Sequence, residues 1–190
     1  DFEKQAAILK KSRPTAVSLP NAVEYIVYLS REFPRAQLPK LIDAFVQKQQ
    51  EALEKIAKIG AKRIRSGDTI LTHCNSTAAI SIIKEAAKTK DIKVVCTETR
   101  PRNQGYITAK SLADAKIPVT LIVDSAVRYA MREFDIDKVI IGADTVAANG
   151  AVANKIGTSQ VAAIAKEMSV PVIVACETIK FSPQTYEGEM

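Results

Sequence analysis

The sequence predicts an α/β fold: a helical N-terminal segment over residues 1–66, then a Rossmann-like parallel sheet with helices on both faces over 67–190. Three observations carry this. Before Ser66 the apolar residues recur at spacings of three and four, the helical period. After Ser66-Gly67-Asp68 five short apolar runs are separated by amphipathic segments, and strands alternating with helices build a covered parallel sheet. The stretch after each run is polar, whereas the return connections are short, and an open parallel sheet takes its ligands at the carboxyl ends of its strands.

Residues 1–11 carry Phe2, Ala6, Ile8 and Leu9 on a helical pattern that stops at Ser12-Arg13-Pro14, because proline drives the preceding residue out of the helical region. A second helix is expected over 21–32, with Ala22, Val23, Ile26, Val27 and Leu29 on its apolar side, Pro20 near its start and Phe33-Pro34 as its stop. A third is expected over 38–65, from Leu41 to Ile59 at helical spacing, with Gly60 weakening its last turn. The apolar runs 69–72, 93–96, 119–123, 138–141 and 171–175 read as strands. Segments near 76–88, 106–115, 125–134 and 158–168 read as helices between them, and Asn149-Gly150 as a turn. In the common doubly wound order the first and fourth strands are neighbours, which predicts Cys74 and Asp144 on opposite sides of the crevice.

A chain of 190 residues with 47% apolar and 25% charged residues can bury one core with a small helical appendage. Three cysteines without a C-x-x-C, and one histidine, argue against a disulfide framework and a zinc site and for a reducing compartment, the cytoplasm. No metal or cofactor is expected. No apolar run is long enough to span a bilayer, so no membrane is expected as a partner. The net charge of +6 suits an anionic partner. The basic residues are scattered among acidic ones without a basic block or stacking aromatics, which favours phosphorylated small molecules over nucleic acid.

The chain is organised around Ile70 to Ile80. An apolar run ends in His73-Cys74-Asn75-Ser76-Thr77 and a helix begins, with Ser76 at the N-cap position. A thiol there feels the positive end of the helix, which favours the thiolate. The backbone N–H groups of Ser76, Thr77 and Ala78 are placed to hold an anion. On this stretch alone the plainer reading, a small apolar cysteine in a βα turn, is preferred. His73 should point away from Cys74 by strand alternation, which disfavours a Cys–His nucleophile pair. Around Gly157, Asn154, Lys155 and Thr158 lie at a helix start and suit an anion. Arg100 and Arg102 lie in a Pro/Gly-bounded loop at the same edge and suit phosphate. Asp144 reads equally as a capping or loop residue, and Lys155, Arg100 and Arg102 as solvated charges. Glu98 and Glu177 are candidate structural partners of these bases. Cys96 and Cys176 are expected in the core.

Six segments taken together resemble one superfamily: S-R-P-T-A-V-S-L-P-N-A (12–22), H-C-N-S (73–76), E-T-R-P-R-N-Q-G (98–105), G-A-D (142–144), N-G-A-V-A-N-K-I-G-T (149–158) and E-T-I-K-F (177–181). The superfamily contains methylthioribose-1-phosphate isomerase, archaeal ribose-1,5-bisphosphate isomerase and the regulatory subunits of eukaryotic initiation factor 2B. V-S-L-P-N-A and I-V-D-S-A-V-R (122–128) look most like the ribose-1,5-bisphosphate branch. The resemblance implies an aldose-ketose isomerase of archaeal AMP and nucleoside breakdown, assembled as a homo-oligomer of dimers, a hexamer in relatives, with AMP as activator. It implies Cys74 as base and Asp144 as acid. Ser76, Thr77 and Ala78 would hold a phosphate, and Arg13, Asn154, Lys155 and Lys180 would position sugar and phosphate oxygens, with Arg100 and Gln104 behind them. The alternatives are a non-catalytic subunit of the initiation-factor type that binds a nucleotide or sugar phosphate, and the isomerase of methionine salvage. The family pattern also includes an N-terminal segment with an Arg-Gly motif and a further C-terminal strand. Neither falls within these 190 residues, so a chain truncated at both ends is expected.

Overall fold

The computed structural model describes residues 2–12 and 16–183. Helix α1 spans Phe2–Lys11. Helix α2 spans Ser18–Glu32, three residues longer at its start than its apolar pattern. Pro20 therefore sits inside the first turn, where a missing N–H leaves no intrahelical bond unmade. Helix α3 spans Leu38–Ala61 and ends four residues before the expected limit. The Lys90 ammonium donates to the carbonyls of Ala61 and Ile64, at 2.6 and 2.7 Å, and takes over from the helix ladder there.

The alternating part follows in order: β1 (Thr69–Thr72), α4 (Thr77–Ala87), β2 (Lys93–Thr97), α5 (Gln104–Asp114), β3 (Val119–Ile122), α6 (Val127–Glu133) and β4 (Lys138–Ile141). A two-stranded antiparallel hairpin comes next, β5 (Thr145–Val146) with β6 (Val152–Ala153), then α7 (Thr158–Glu167) and β7 (Val172–Val174). Only the turn of the hairpin is legible beforehand. Its strands are two residues long, too short to show alternation. Helix α6 starts at Val127 after a 3-10 turn over Asp124–Ala126. Asp124 does not cap it because both its carboxylate oxygens are engaged elsewhere, at the amides of Thr99 and Arg100.

Two compact units result. One gathers Asp1–Ala52, Ala143–Asn154 and Glu177–Met190, the other Leu53–Gly142 and Lys155–Cys176. The second unit holds a five-stranded parallel sheet in the order β3-β2-β1-β4-β7. β1 and β4 are indeed neighbours, with Ile70 opposite Lys138 and Leu71 opposite Val139, so the order reverses beside β1.

Alternation along β1 splits the core of this unit into two layers. Ile70 faces a cluster with Ile64, Ile82, Ile83, Leu112 and Ile140. Leu71 faces the other, with Val127, Met131, Val139, Ile141 and Val161. All four residues of β1 are buried, as a central strand covered on both faces requires. At the amino edge of the sheet, Asp68 accepts from Lys138 Nζ and from the Arg65 amide, both at 2.6 Å. In the first unit, the Asn21 side chain of α2 donates to the carbonyls of Ile179 and Phe181, at 2.7 and 3.0 Å. These two bonds join two of the six sequence segments, the one ending in S-L-P-N-A and the one reading E-T-I-K-F. No described helix is long and apolar enough to cross a membrane.

Candidate active site

Just beyond β1, His73 is buried and Cys74 half-buried. Cys74 has a left-handed backbone, φ 69°, a conformation that costs a residue with a Cβ about 1–2 kcal/mol. Hydrogen bonds hold the peptide groups on both sides of it. Its N–H donates to Thr99 Oγ1 at 2.9 Å, and its carbonyl accepts from Thr108 Oγ1 at 2.8 Å. Thr108 comes from α5 and is fully buried.

Helix α4 then begins at its expected cap. Ser76 is extended, and its Oγ accepts from the Ala79 amide at 3.3 Å. The first-turn amides of Thr77 and Ala78 have no carbonyl of their own helix to bond. None of the three cysteines forms a disulfide. Cys96 is fully buried, and burial pushes its thiol up to about 11. Cys176, expected in the core, is only half-buried, because it follows the end of the edge strand β7.

His73 turns away from Cys74 and makes two hydrogen bonds of its own. Its Nδ1 lies 2.6 Å from Thr97 Oγ1 and its Nε2 lies 2.8 Å from the Ile156 carbonyl. A carbonyl only accepts, so Nε2 carries the proton and Nδ1 receives the Thr97 hydroxyl proton. With its proton committed, Thr97 serves Thr99, 3.3 Å away, as an acceptor. Thr97 thus donates to His73 and His73 to Ile156, while Thr99, which accepts from the Cys74 N–H, has both Thr97 Oγ1 and the Thr97 carbonyl 3.3 Å from its hydroxyl. These bonds work with a neutral imidazole. Burial lowers the His73 pKa most; the Ile156 bond and Asp124 raise it, and Lys155 lowers it. Gly157 closes the arrangement. Its φ is 96°, and a Cβ on it would lie 2.9 Å from His73 Cε1. Glycine is required there on both counts.

Within the second unit, then, Cys74, Ser76, Thr77, Ala78, Arg100, Gln104 and Lys155 lie at the carboxyl edge of one sheet. Arg100 is exposed. Gln104 opens α5 half-buried, and its Oε1, like Asn103 Oδ1 beside it, is buried with no hydrogen-bond partner among the described residues. Within the first unit, Asp144 and Asn154 flank the open end of the β5–β6 hairpin, next to Thr145 and Ala153. The Asp144 amide donates to the Ala153 carbonyl at 2.9 Å, and Thr145 pairs with Ala153. Asp144 is half-buried beside the buried Ala143 and Thr145. Phe181 bridges to Val146, which brings Lys180 to the same hairpin. Lys180 and Glu177 form an ion pair at 3.3 Å that falls short of hydrogen-bond geometry. Arg13 lies outside the described residues. No group of three His, Cys, Asp or Glu among those residues is placed to hold a metal ion.

Sequence reasoning missed the threonines. Thr97 and Thr108 lie in none of the six segments, Thr99 lies in E-T-R-P-R-N-Q-G without a role of its own, and a positive φ at Thr99 runs against the preference of a β-branched residue. The one signal was Asp124, which follows β3 at the polar edge and anchors Thr99.

A ribose 1,5-bisphosphate isomerase of Methanocaldococcus jannaschii is 58% identical over 185 residues, covering 96% of this chain and 59% of that protein. One of Pyrococcus furiosus is 48% identical, covering 100% and 61%. The chain thus spans about three fifths of the length of the curated relatives it matches. Among solved structures, the translation initiation factor eIF-2B of Pyrococcus horikoshii OT3 superposes with a TM-score of 0.89 at 32% identity, covering 99% of this chain and 67% of the other. The tetrameric eIF2B-beta2-delta2 complex from C. thermophilum, at 24% identity and a TM-score of 0.80, shares the fold. The Initiation factor 2 subunit family matches residues 1–190 without a break, and with its six segments and its sheet order the chain belongs to that family.

Proposed function

We propose that this chain carries the catalytic residues of a ribose 1,5-bisphosphate isomerase, which turns the cyclic aldose phosphate into ribulose 1,5-bisphosphate. The observation that carries the reading is the Cys74 turn. A half-buried thiol follows a central strand, the peptides on both sides of it are clamped, and the capped N-terminus of α4 begins two residues later. The names of the relatives at 43–58% identity support the same substrate.

Asp144, protonated, gives its proton to the ring oxygen, and the bond from that oxygen to C1 breaks. Cys74, as thiolate, takes the proton from C2, leaving a C1–C2 double bond. The thiol returns that proton to C1 while the carboxylate takes the proton of the C2 hydroxyl, and the ketone forms. Every proton is accounted for, and no outside oxidant or reductant enters. A helix N-terminus favours the thiolate that this sequence of steps needs. Thr77 and Ala78 amides, with Ser76, hold one phosphate; Lys155, Asn154, Lys180 and Arg13 orient the remaining oxygens, with Arg100 and Gln104 behind them. Assembly as a homo-oligomer of dimers and activation by AMP belong to the same reading.

The test follows ketose formation from ribose 1,5-bisphosphate and, separately, from methylthioribose 1-phosphate, with and without AMP. Turnover of the first, abolished in Cys74→Ser and in Asp144→Asn with substrate binding kept, is the expected result. Turnover of the second alone moves the chain to the methylthioribose branch. Tight binding of a nucleotide or sugar phosphate with no turnover makes it a non-catalytic subunit.

A further inference from the structure

Six described residues other than glycine have a positive φ: Cys74, Thr99, Asn103, Lys116, Asp135 and Ser169. Four of them are explained by helix ends. Lys116, Asp135 and Ser169 follow α5, α6 and α7, and the next residue's amide returns to the last turn in each case (Ile117 to Leu112, Ile136 to Met131, Val170 to Ala165). Such left-handed stops are ordinary. Asn103 precedes α5, and asparagine tolerates the conformation. Cys74 and Thr99 remain, and they are hydrogen-bonded to each other.

Thr99 is the anomaly. It is the one β-branched residue in the group, for which a positive φ is a true outlier, and it is fully buried. Glycine or asparagine would take φ 61° at less cost. The conformation is imposed from outside. The two oxygens of Asp124 accept from consecutive amides, Thr99 at 2.8 Å and Arg100 at 2.7 Å. What threonine supplies in return is an acceptor on a stiff χ1, and that acceptor receives the Cys74 amide.

We propose that Thr99 is a positioning residue for Cys74: anchored by Asp124, it holds the cysteine in its left-handed conformation at the head of α4. Its effect on turnover rests on the isomerase reading above; its effect on the conformation of Cys74 does not.

The discriminating variant is Thr99→Gly in the intact protein, since glycine adopts φ 61° freely; it removes the acceptor, together with the hydroxyl's own contact with Thr97 and the buried methyl. The expected result is a kcat lower by roughly 10- to 100-fold, a KM within about twofold of wild type, and a crystal structure in which Cys74 has left the positive-φ region. Thr99→Ser, which keeps the hydroxyl, restores most of the kcat. A merely structural threonine gives the opposite pattern: a changed melting temperature with kcat intact. Wild-type kcat in Thr99→Gly, or Cys74 still left-handed in its crystal structure, overturns the proposal. If wild type itself fails to turn over the bisphosphate, the isomerase reading falls, and the conformation of Cys74 in the variant alone decides this one. Should Thr99→Gly not fold, Asp124→Ala removes the anchor instead, and a left-handed Cys74 in that variant is equally fatal.

Discussion

If Cys74 is held against its own backbone preference, the strain should be measurable by removing it. The pair to compare is Cys74→Gly and Cys74→Ala. Both delete the thiol, and both keep the amide and carbonyl that Thr99 and Thr108 hold. The loss of side-chain contacts is similar, so these contributions largely cancel in the difference. What does not cancel is φ 69°. Alanine bears the left-handed penalty of about 1–2 kcal/mol; glycine does not, but it loses roughly 0.5–1 kcal/mol more conformational entropy on folding. The net expectation is that Cys74→Gly is the more stable by about 0.5–1 kcal/mol, about 1–4 °C in melting temperature for a chain of this size. Urea unfolding of the two variants at one pH, side by side, measures it. Equal stabilities, or alanine the more stable, would refute the claim that strain is stored at Cys74.

Three further expectations rest on other residues. Because burial lowers the His73 pKa, the unfolded chain takes up a proton that the folded chain refuses. Stability should then be full above about pH 6.5 and fall as the pH drops below it, at no more than about 1.4 kcal/mol per pH unit; urea midpoints at pH 7.5 and 5.5 measure this, and His73→Gln should flatten the difference. Asp68→Ala leaves the largely buried Lys138 ammonium without its partner and should cost about 3 kcal/mol with kcat unchanged; a loss under about 1 kcal/mol would mean that the lysine reaches water. Ser76→Ala removes the cap of α4 and should cost about 1 kcal/mol in thermal unfolding, with a raised KM if the first turn holds a phosphate.

Much of the fold was legible because it rests on periodicity. Ile70 and Leu71 serve opposite core layers, and a run with no polar residue between them reads as a strand covered on both sides. The turn at Cys74 was legible because Ser76 is a good cap. The β5–β6 hairpin was not, since two residues per strand carry no pattern. Nor were the ends of α2 and α3. Pro20 looked like a boundary but is harmless in a first turn, and the end of α3 depends on Lys90, which lies 29 residues beyond Ala61. The grip on Cys74 was hidden for a related reason. Thr99, Thr108 and Asp124 are distant in sequence, and a left-handed threonine is the conformation that propensity argues against.

The two edges of the sheet use the same backbone conformation to different ends. At the amino edge the positive-φ residues Lys116, Asp135 and Ser169 stop helices, Lys90 caps α3, and Asp68 pairs with Lys138. Each of these satisfies groups that would otherwise be left unpaired, so each adds stability. At the carboxyl edge the positive φ of Cys74 and Thr99 stops nothing, and four hydrogen bonds from Thr108, Asp124 and the Cys74 amide are needed to maintain it. Strain that persists only because its surroundings over-determine it is the usual signature of a working site. The two edges should therefore respond differently to substitution. Cys74→Gly should lose turnover while remaining more stable than Cys74→Ala, whereas Asp68→Ala should cost stability and spare turnover. A stability–activity trade-off confined to one edge of a single sheet is hard to reconcile with a plain βα turn at Cys74, and finding both edges alike would favour that plainer reading.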